Sequence, residues 1–248
     1  VDPEWATQHL LPLFNWQHSP VEARSAWEGF LWSPRLYHPL MKEIKPAFLD
    51  TASHYAKLGK HGGQYAALLT YAALDPGDTF LPTELAVATR SLPPNGLHEA
   101  AKSLVRALEG SGEQRANYWK KRIVPYLDAI WPKTRNNISP SIARSLGRLC
   151  IAAQEAFPEA LKLLRAWLGP ATSRDYLVQL LHEAGICGKF PEPALDFLNL
   201  VLGNQIPWRT SDLGACLKAI RTAMPALVTD VRYTKLMEYF RQQGGEPN

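Results

Sequence analysis

The seven histidines are the side chains in this chain best suited to metal binding or proton transfer, but their spacing favours neither role. No two lie four residues apart, the spacing that places two imidazoles on one face of a helix, and no His-Glu-x-x-His motif occurs. We therefore predict no metal site, and surface or packing roles for all seven: His9, His18, His38, His54, His61, His98 and His182.

Nucleophilic and phosphate-binding motifs are also missing from the sequence. There is no Gly-x-Ser-x-Gly elbow, and the three cysteines, Cys150, Cys187 and Cys216, lack partners at metal-ligand spacing, which is typical of reduced cytosolic thiols. The glycine-rich run 59–63 precedes a predicted helix without the spacing of a phosphate loop, so we interpret it as a turn. We predict no catalytic residue and no cofactor, and an enzyme using His54, His61, Asp75 or Asp78 is the least favoured alternative.

A basic segment is the strongest binding signal in the chain. Between Glu113 and Arg148 there are eight basic and two acidic residues, although the whole chain carries a formal net charge of only +4. Aromatic residues lie among them, and aromatic rings beside cations are typical of single-stranded nucleic-acid binding. The candidate interaction surface comprises Arg115, Trp119, Lys120, Lys121, Arg122, Lys133 and Arg135.

The same segment also has a purely structural interpretation. Trp119, Ile123, Tyr126 and Ile130 recur at helical spacing, which predicts a buried stripe with a solvated basic face opposite it. On this interpretation, which we favour, the cations contact solvent and the rings contact the core. Binding to nucleic acid or to an acidic protein stays open as the second interpretation.

The elements that would position these residues are predicted to be helices. Ser19-Pro20 and Ser139-Pro140 have a capping serine followed by proline at the first helical position, and Ser173 precedes another start. No stretch alternates apolar and polar residues with period two, so the fold class is predicted to be all-α. The predicted helices cover about 20–31, 35–44, 46–58, 63–74, 83–92, 96–109, 113–131, 140–153, 158–168, 174–184, 193–202, 211–223 and 231–242.

A repeat of 34 residues appears in the C-terminal half. Phe157-Pro158-Glu159 opens a run ending at Gly169, and Phe190-Pro191-Glu192, displaced by one residue from the 34-residue offset, opens a similar run ending at Gly203. Periods of this length are typical of stacked helical hairpins. We therefore predict an α-solenoid-like subdomain at 136–248 and an irregular helical bundle at 1–135, with one continuous domain as the alternative.

The start of the sequence leads to an expectation about the origin and location of the chain. It begins Val1-Asp2-Pro3 without an initiator methionine or signal peptide, and we expect a fragment of a longer protein or a processed chain, located in the cytoplasm and not in a membrane.

Four of the eight tryptophans fall within the first 32 residues, at Trp5, Trp16, Trp27 and Trp32. Such a density indicates either an aromatic core or a surface that docks against a partner.

A family resemblance takes the interpretation further. The run Trp16–Leu36, with its central Ala26-Trp27-Glu28-Gly29-Phe30-Leu31-Trp32, resembles a C-terminal helical domain of unknown function in large bacterial proteins that begin with a sirtuin-like domain. The runs 62–69 and 73–78 strengthen this resemblance. It implies a cytoplasmic anti-phage defence protein whose sirtuin-like domain depletes nicotinamide adenine dinucleotide. The catalytic motifs of that domain have no counterpart in these 248 residues.

The leading hypothesis is therefore a non-catalytic interaction, sensor or assembly domain of such a protein. Its partner would be another protein or the catalytic domain of its own parent. The alternative is a nucleic-acid-binding helical module that uses residues 115–148.

Overall fold

A computed structural model describes residues 5–133, 139–203 and 210–242. Those ranges contain α-helices joined by short 3₁₀ and π turns and no β-strand, which confirms the all-α prediction. Within them, no helix has both the length and the apolar character required to cross a membrane.

The chain divides into two compact units, one drawn from residues 1–107 and 120–137, the other from 108–119 and 138–248. The division falls inside helix α5, whose last residues belong to the second unit. The α-helices of the first unit are α1 (Pro20–Leu31), α2 (His38–Asp50), α3 (Gly62–Leu74), α4 (Pro82–Arg90), α5 (Pro94–Gly110) and α7 (Val124–Ala129). Its other helical turns are Ala6–Leu10, Leu11–Phe14, Tyr55–His61 and most of Trp119–Ile123.

The second unit contains the short helix α6 and the C-terminal helices. These are α6 (Arg115–Tyr118), α8 (Pro140–Ala152), α9 (Phe157–Leu164), α10 (Arg174–Glu183), α11 (Ile186–Lys189), α12 (Pro191–Leu202), α13 (Thr210–Ala223) and α14 (Val231–Gln242). Short 3₁₀ turns lie at Gly112–Gln114, Gln154–Ala156, Arg165–Trp167 and Pro225–Thr229. Helix α13 packs against α10, α11 and α12, while α8 packs against α9 and α10.

Helix starts follow the capping signals of the sequence. The backbone N–H of Glu22 donates to Ser19 Oγ at 3.4 Å, and that of Ile142 donates to Ser139 Oγ at 3.3 Å. Each bond satisfies one of the amides that a helix leaves unpaired at its first turn. Ser173 also precedes a helix, but it adopts φ +50° and its side chain caps nothing.

Pro46 was predicted to separate two helices, and that prediction is wrong. Helix α2 runs through it from His38 to Asp50. Met41, Ile44 and Phe48 form one buried stripe on both sides of the proline. Burial of that stripe outweighs the single backbone hydrogen bond that proline cannot make.

The predicted helix at 113–131 is helical without interruption from Gly112 to Ala129, but its type changes three times along the way. The 3₁₀ turn at Gly112–Gln114 leads into α6, then into a π-helical turn at Trp119–Ile123, and then into α7. Pro125 lies at the start of α7. Because proline lacks an N–H and crowds the preceding turn, a wider π turn before it relieves the mismatch.

An aromatic cluster forms the core of the first unit. The Trp27 ring lies edge-on to Phe14 at 4.8 Å between centroids, and 6.3 Å from that of Tyr65. Polar atoms in the cluster are paired, since Trp27 Nε1 donates to the Phe14 carbonyl at 3.1 Å and the Tyr65 hydroxyl donates to the Phe48 carbonyl at 2.7 Å. The cluster anchors α1 against α2 and α3.

The two leucine stripes of the repeat are buried in the second unit. The first comprises Leu161, Leu164 and Leu168, and the second comprises Leu195, Leu198 and Leu202. Helix α12 ends at Leu202 and Gly203 follows it at φ +58°, as the terminal glycine of the second copy predicts. In the first copy the helical turn already ends at Trp167, and Gly169 does not adopt a positive φ. The stacking of whole hairpins into a solenoid stays a prediction.

Candidate functional site

The predicted basic surface is distributed over both units. Arg115 and Trp119 belong to the second unit, whereas Lys120, Lys121, Arg122 and Lys133 belong to the first. Lys120 and Lys121 are exposed, and Arg122 pairs with Asp75, with Nη2 at 3.1 Å from Oδ1. The consecutive cations at 120–122 are therefore the part of this surface that one unit presents together.

The remaining members of that surface contact the protein itself. Arg115 Nη2 donates to the Glu109 carbonyl at 3.4 Å, and Lys133 Nζ donates to the Leu127 carbonyl at 2.9 Å. The Trp119 side chain is completely buried, so it packs in the interior and does not reach the surface. Arg135 lies outside the described residues.

The aromatic residues of the basic segment are largely buried. Trp119, Tyr126 and Trp131 are each less than 5% exposed, and the side chains of Ile123 and Ile130 are also buried. This agrees with the predicted buried stripe at helical spacing. Those three rings are therefore not available as a stacking platform for bases.

The two arginines at the end of the segment have partners within the second unit. Arg148 forms a bidentate ion pair with Glu109, with Nε–Oε1 at 2.9 Å and Nη2–Oε2 at 2.7 Å. That hydrogen bonding raises the pKa of Arg148 above its usual value. Arg144 lies over the Tyr176 ring at 5.4 Å from its centroid. Both contacts are structural and tie α8 to neighbouring helices.

Three residues of the least favoured enzyme hypothesis have separate partners, and the fourth, His61, is buried with its ring centroid 6.2 Å from that of Trp32. His54 stacks beside Trp16 at 4.9 Å and lies 3.5 Å from Asp50. Asp75 pairs with Arg122, and Asp78 accepts a hydrogen bond from Lys42 at 2.7 Å. Among the described residues, no group of three or more His, Cys, Asp or Glu side chains is arranged to hold a metal ion.

The N-terminal tryptophans divide between core and surface. Trp16 and Trp27 are buried, whereas Trp5 is 54% exposed and Trp32 is 75% exposed. Helical spacing explains the division, since Ala23, Trp27 and Leu31 form the buried stripe of α1 and Trp32 lies one residue beyond it. Trp32 is a large apolar side chain held at the surface by a rigid helix end.

One cation lies beside the Trp32 ring, and an ion pair lies earlier on α1. Lys60 Nζ lies 5.8 Å from the centroid of the Trp32 ring, and Arg24 Nε donates to Glu28 Oε1 at 2.9 Å on the preceding turns of α1. That hydrogen bond is the main reason why the pKa of Glu28 lies below its usual value. We call Arg24, Glu28, Trp32 and Lys60 the tryptophan surface.

The glycine-rich run 59–63 shapes this surface. Gly59 adopts φ +53°, a conformation that other residues rarely take, inside the 3₁₀ turn Tyr55–His61, and the next residue, Lys60, lies beside Trp32. A Cβ at Gly62 would lie 2.8 Å from the Tyr55 ring, so α3 can begin there only without a side chain. The glycines therefore build a tight turn, as the sequence predicts.

A second candidate site, which sequence reasoning missed, lies in the second unit. A cleft of about 320 Å³ is lined by α9, α12, α14 and the 3₁₀ turn after α9. We call this site the charged cleft, and its lining residues are Pro158, Leu161, Lys162, Arg165, Glu192, Pro193, Asp196 and Arg232. It includes Pro158, which opens the first copy of the repeat, and Glu192, which belongs to the opening motif of the second.

Asp196 organises the charged cleft. It is only 8% exposed, and the burial of an unpaired carboxylate would be costly. Arg165 forms an ion pair with its Oδ2, and Arg232 Nη1 lies 3.6 Å from its Oδ1. A single acid in the apolar run Ala194–Val201 was a signal that could have revealed the site.

Arg232 is held from a second side. Its Nη2 donates to Asp230 Oδ2 at 2.7 Å and its Nε to Asp230 Oδ1 at 3.0 Å. This pairing raises the pKa of Arg232 and lowers the pKa of Asp230. Glu192 lies 4.0 Å from the same guanidinium. The acids of the cleft are thus all paired around Arg232.

Comparison with known proteins gives one distant relative. The chain is 32% identical over 132 residues to an uncharacterised protein, y4cA, of Sinorhizobium fredii. The match covers 52% of this chain and 11% of that protein, so the chain spans about a tenth of the length of the curated relative it matches. No protein-family model matches the chain. No solved structure matches it either.

Proposed function

We propose that this chain is a non-catalytic interaction domain of a larger bacterial protein and that it docks a protein partner through the tryptophan surface. The observation that carries the proposal is Trp32, which is 75% exposed at the end of α1 with Lys60 Nζ 5.8 Å from its ring centroid. Tryptophan and arginine are the residues most enriched among those that dominate binding energy in protein interfaces. An exposed tryptophan with a lysine beside its ring fits that role.

We further propose that the parent protein begins with a sirtuin-like domain and that this domain is the partner. The resemblance of residues 16–36 to the C-terminal domain of such proteins supports this assignment, and Trp32 lies within that run. The match to about a tenth of a much longer bacterial protein supports a place within a large chain.

The first experiment tests the absence of catalysis. The 248-residue chain is incubated with nicotinamide adenine dinucleotide, and release of nicotinamide is followed over time. We expect no release above that of buffer. Turnover that scales with protein concentration and survives repurification would contradict the proposal.

The second experiment tests docking. The polypeptide encoded upstream in the same reading frame is expressed separately, and its association with this chain is measured by calorimetry. Trp32→Ala should weaken binding by at least about tenfold, the loss typical of an interface hot spot. Tyr37→Ala, which removes an aromatic ring of comparable exposure (62%), is the matched control and should change little.

Nucleic-acid binding is the second candidate, and the exposed Lys120 and Lys121 favour it. It predicts retardation of DNA or RNA that weakens steeply with salt, because phosphate contacts release counterions. Lys120→Ala with Lys121→Ala should abolish the effect, whereas Lys218→Ala, an exposed lysine of the other unit, should not. Retention of binding in the double variant would exclude this function for Lys120 and Lys121.

A further inference from the structure

We infer that the charged cleft of the second unit binds a glutamate side chain of an acidic peptide segment. This site goes beyond the proposed function, since the tryptophan surface lies in the first unit. The volume of about 320 Å³ is at the lower end of what ligand pockets in proteins enclose. It suits one side chain and its flanking backbone.

The three cations of the cleft are equal in number to the acids around them, Asp196, Glu192 and Asp230, but one of the cations is left without an ion-pair partner among the described residues. Arg232 is shared among Asp230, Asp196 and Glu192, and Asp196 also pairs with Arg165. Lys162 lines the same cleft, is exposed, and has no ion-pair partner among the described residues. Its ammonium is therefore open to an incoming anion.

Arg165 retains donors for the same ligand. A guanidinium has five N–H groups, and the ion pair with Asp196 uses one edge of the planar fork. The Arg165 side chain is 55% exposed, so the remaining edge contacts solvent. Lys162 and Arg165 are three residues apart at the end of α9, the spacing that places two side chains on neighbouring positions of one helical face.

Asp196 acts as the positioning residue for this pair. Because its carboxylate is buried and Arg165 satisfies it, the guanidinium is held over the cleft before any ligand arrives. A preorganised cation loses less side-chain freedom on binding than a mobile one. The arrangement resembles a clamp for one carboxylate group between Lys162 and Arg165.

The apolar lining of the cleft favours binding of a glutamate side chain over binding of a small inorganic anion. Pro158, Leu161 and Pro193 form the walls, and they offer no hydrogen-bond donor to an anion. The methylene groups of glutamate can pack on these walls while its carboxylate meets the cations. Inorganic phosphate would meet the same cations without burying any apolar surface, so it should bind more weakly.

The test uses the full 248-residue chain and a defined probe. The probe is a capped peptide, Gly-Leu-Glu-Glu-Leu-Gly, titrated against labelled protein while amide and side-chain NMR shifts are followed. The matched peptide carries glutamine in place of both glutamates, and inorganic phosphate is titrated at equal ionic strength. We expect shifts in α9 and α12, weaker binding at higher salt, and no saturable binding of the glutamine peptide.

Substitutions then assign the site. Lys162→Ala should weaken binding of the acidic peptide about fivefold, the effect of one exposed ion pair. Lys218→Ala removes an exposed lysine elsewhere in the second unit and should leave binding unchanged. Arg165→Lys keeps a partner for Asp196 and should weaken binding by a similar factor, because the planar fork is lost.

Three results would overturn the inference. These are equal binding of the glutamate and glutamine peptides, phosphate binding as tight as that of the acidic peptide, or unchanged affinity in Lys162→Ala. Trp32→Ala provides the separation from the proposed function, since it should impair docking of the upstream polypeptide and leave peptide binding in the charged cleft intact. The two experiments therefore show separately whether the tryptophan surface docks the upstream polypeptide and whether the charged cleft binds the peptide.

Discussion

The Phe157 ring stacks against the Phe190 ring, with centroids 6.4 Å apart and planes inclined by 21°. These are the phenylalanines that open the two copies of the Phe-Pro-Glu motif, so the equivalent residues of the repeat contact each other directly. Phe157 also lies edge-on to Phe197 at 5.7 Å. The contact joins α9 to α12 at the point where both helices begin.

Substitution at these two positions should have unequal effects on stability. Phe157 is completely buried, so Phe157→Ala should lower the free energy of unfolding by about 3–5 kcal/mol. Phe190 is half-buried, and Phe190→Ala should cost about 1–2 kcal/mol. Urea denaturation followed by circular dichroism measures both. Equal losses of the free energy of unfolding in the two variants would contradict the expectation that the more deeply buried Phe157 contributes more to stability.

Local signals made part of this fold predictable from sequence. The starts of α1 and α8 follow from a serine and a proline that act within one turn, and the leucine stripes follow from their spacing. The continuation of α2 through Pro46 did not, because burial against other helices decides it. Local rules describe a helix until tertiary packing outweighs them.

The sites were harder to predict than the helices. Asp196 and Arg232 are 36 residues apart, and no local pattern links an acid on one helix to an arginine on another. The exposure of Trp32 was accessible in principle, because it lies off the stripe of Ala23, Trp27 and Leu31. The composition of the basic segment drew attention to residues 115–148, but composition carries no information on which cations pair internally.

The tryptophans of α1 offer a direct test of the division between core and surface. Trp27 is fully buried in the aromatic cluster, so Trp27→Ala should lower the free energy of unfolding by about 3–5 kcal/mol. Trp32→Ala should change it by no more than about 0.5 kcal/mol, since the side chain is exposed. Thermal and urea unfolding of both variants check this prediction.

Fluorescence quenching provides the control for that comparison. Iodide should quench Trp32 strongly and Trp27 hardly at all, so Trp32→Phe should remove a quenchable fraction and Trp27→Phe should not. A large loss of stability in Trp32→Ala would mean that Trp32 is part of the core, which would contradict its proposed role in docking.

Tyr126 should make the first unit sensitive to alkaline pH. Burial raises its pKa to about 12, opposed in part by the hydroxyls of Thr70 and Thr89. An unfolded tyrosine ionises near pH 10. The stabilisation is therefore complete below about pH 10 and is lost as pH rises toward 12, by about 1.4 kcal/mol per pH unit.

Tyr126→Phe tests this dependence because phenylalanine cannot ionise. Its free energy of unfolding should fall less steeply between pH 10 and 12 than that of the unmodified chain, in urea titrations at each pH. Tyr37→Phe, at an exposed tyrosine, is the matched control and should retain the original slope. Parallel pH profiles for all three proteins would show that Tyr126 ionises as freely as an exposed tyrosine.

The three cysteine thiols should react with a thiol reagent only when the second unit unfolds. Cys150, Cys187 and Cys216 are free thiols, and all three are buried. Burial raises the pKa of Cys150, and a hydrogen bond with Cys187 together with burial raises that of Cys216. The thiolate is the reactive form, so an aromatic disulfide reagent at pH 8 should label them only when the second unit opens. The labelling rate should rise with urea in parallel with unfolding. As a control, glutathione under the same conditions should react at once. Stoichiometric labelling of the native chain within the dead time of the measurement would contradict the buried positions of the three cysteines.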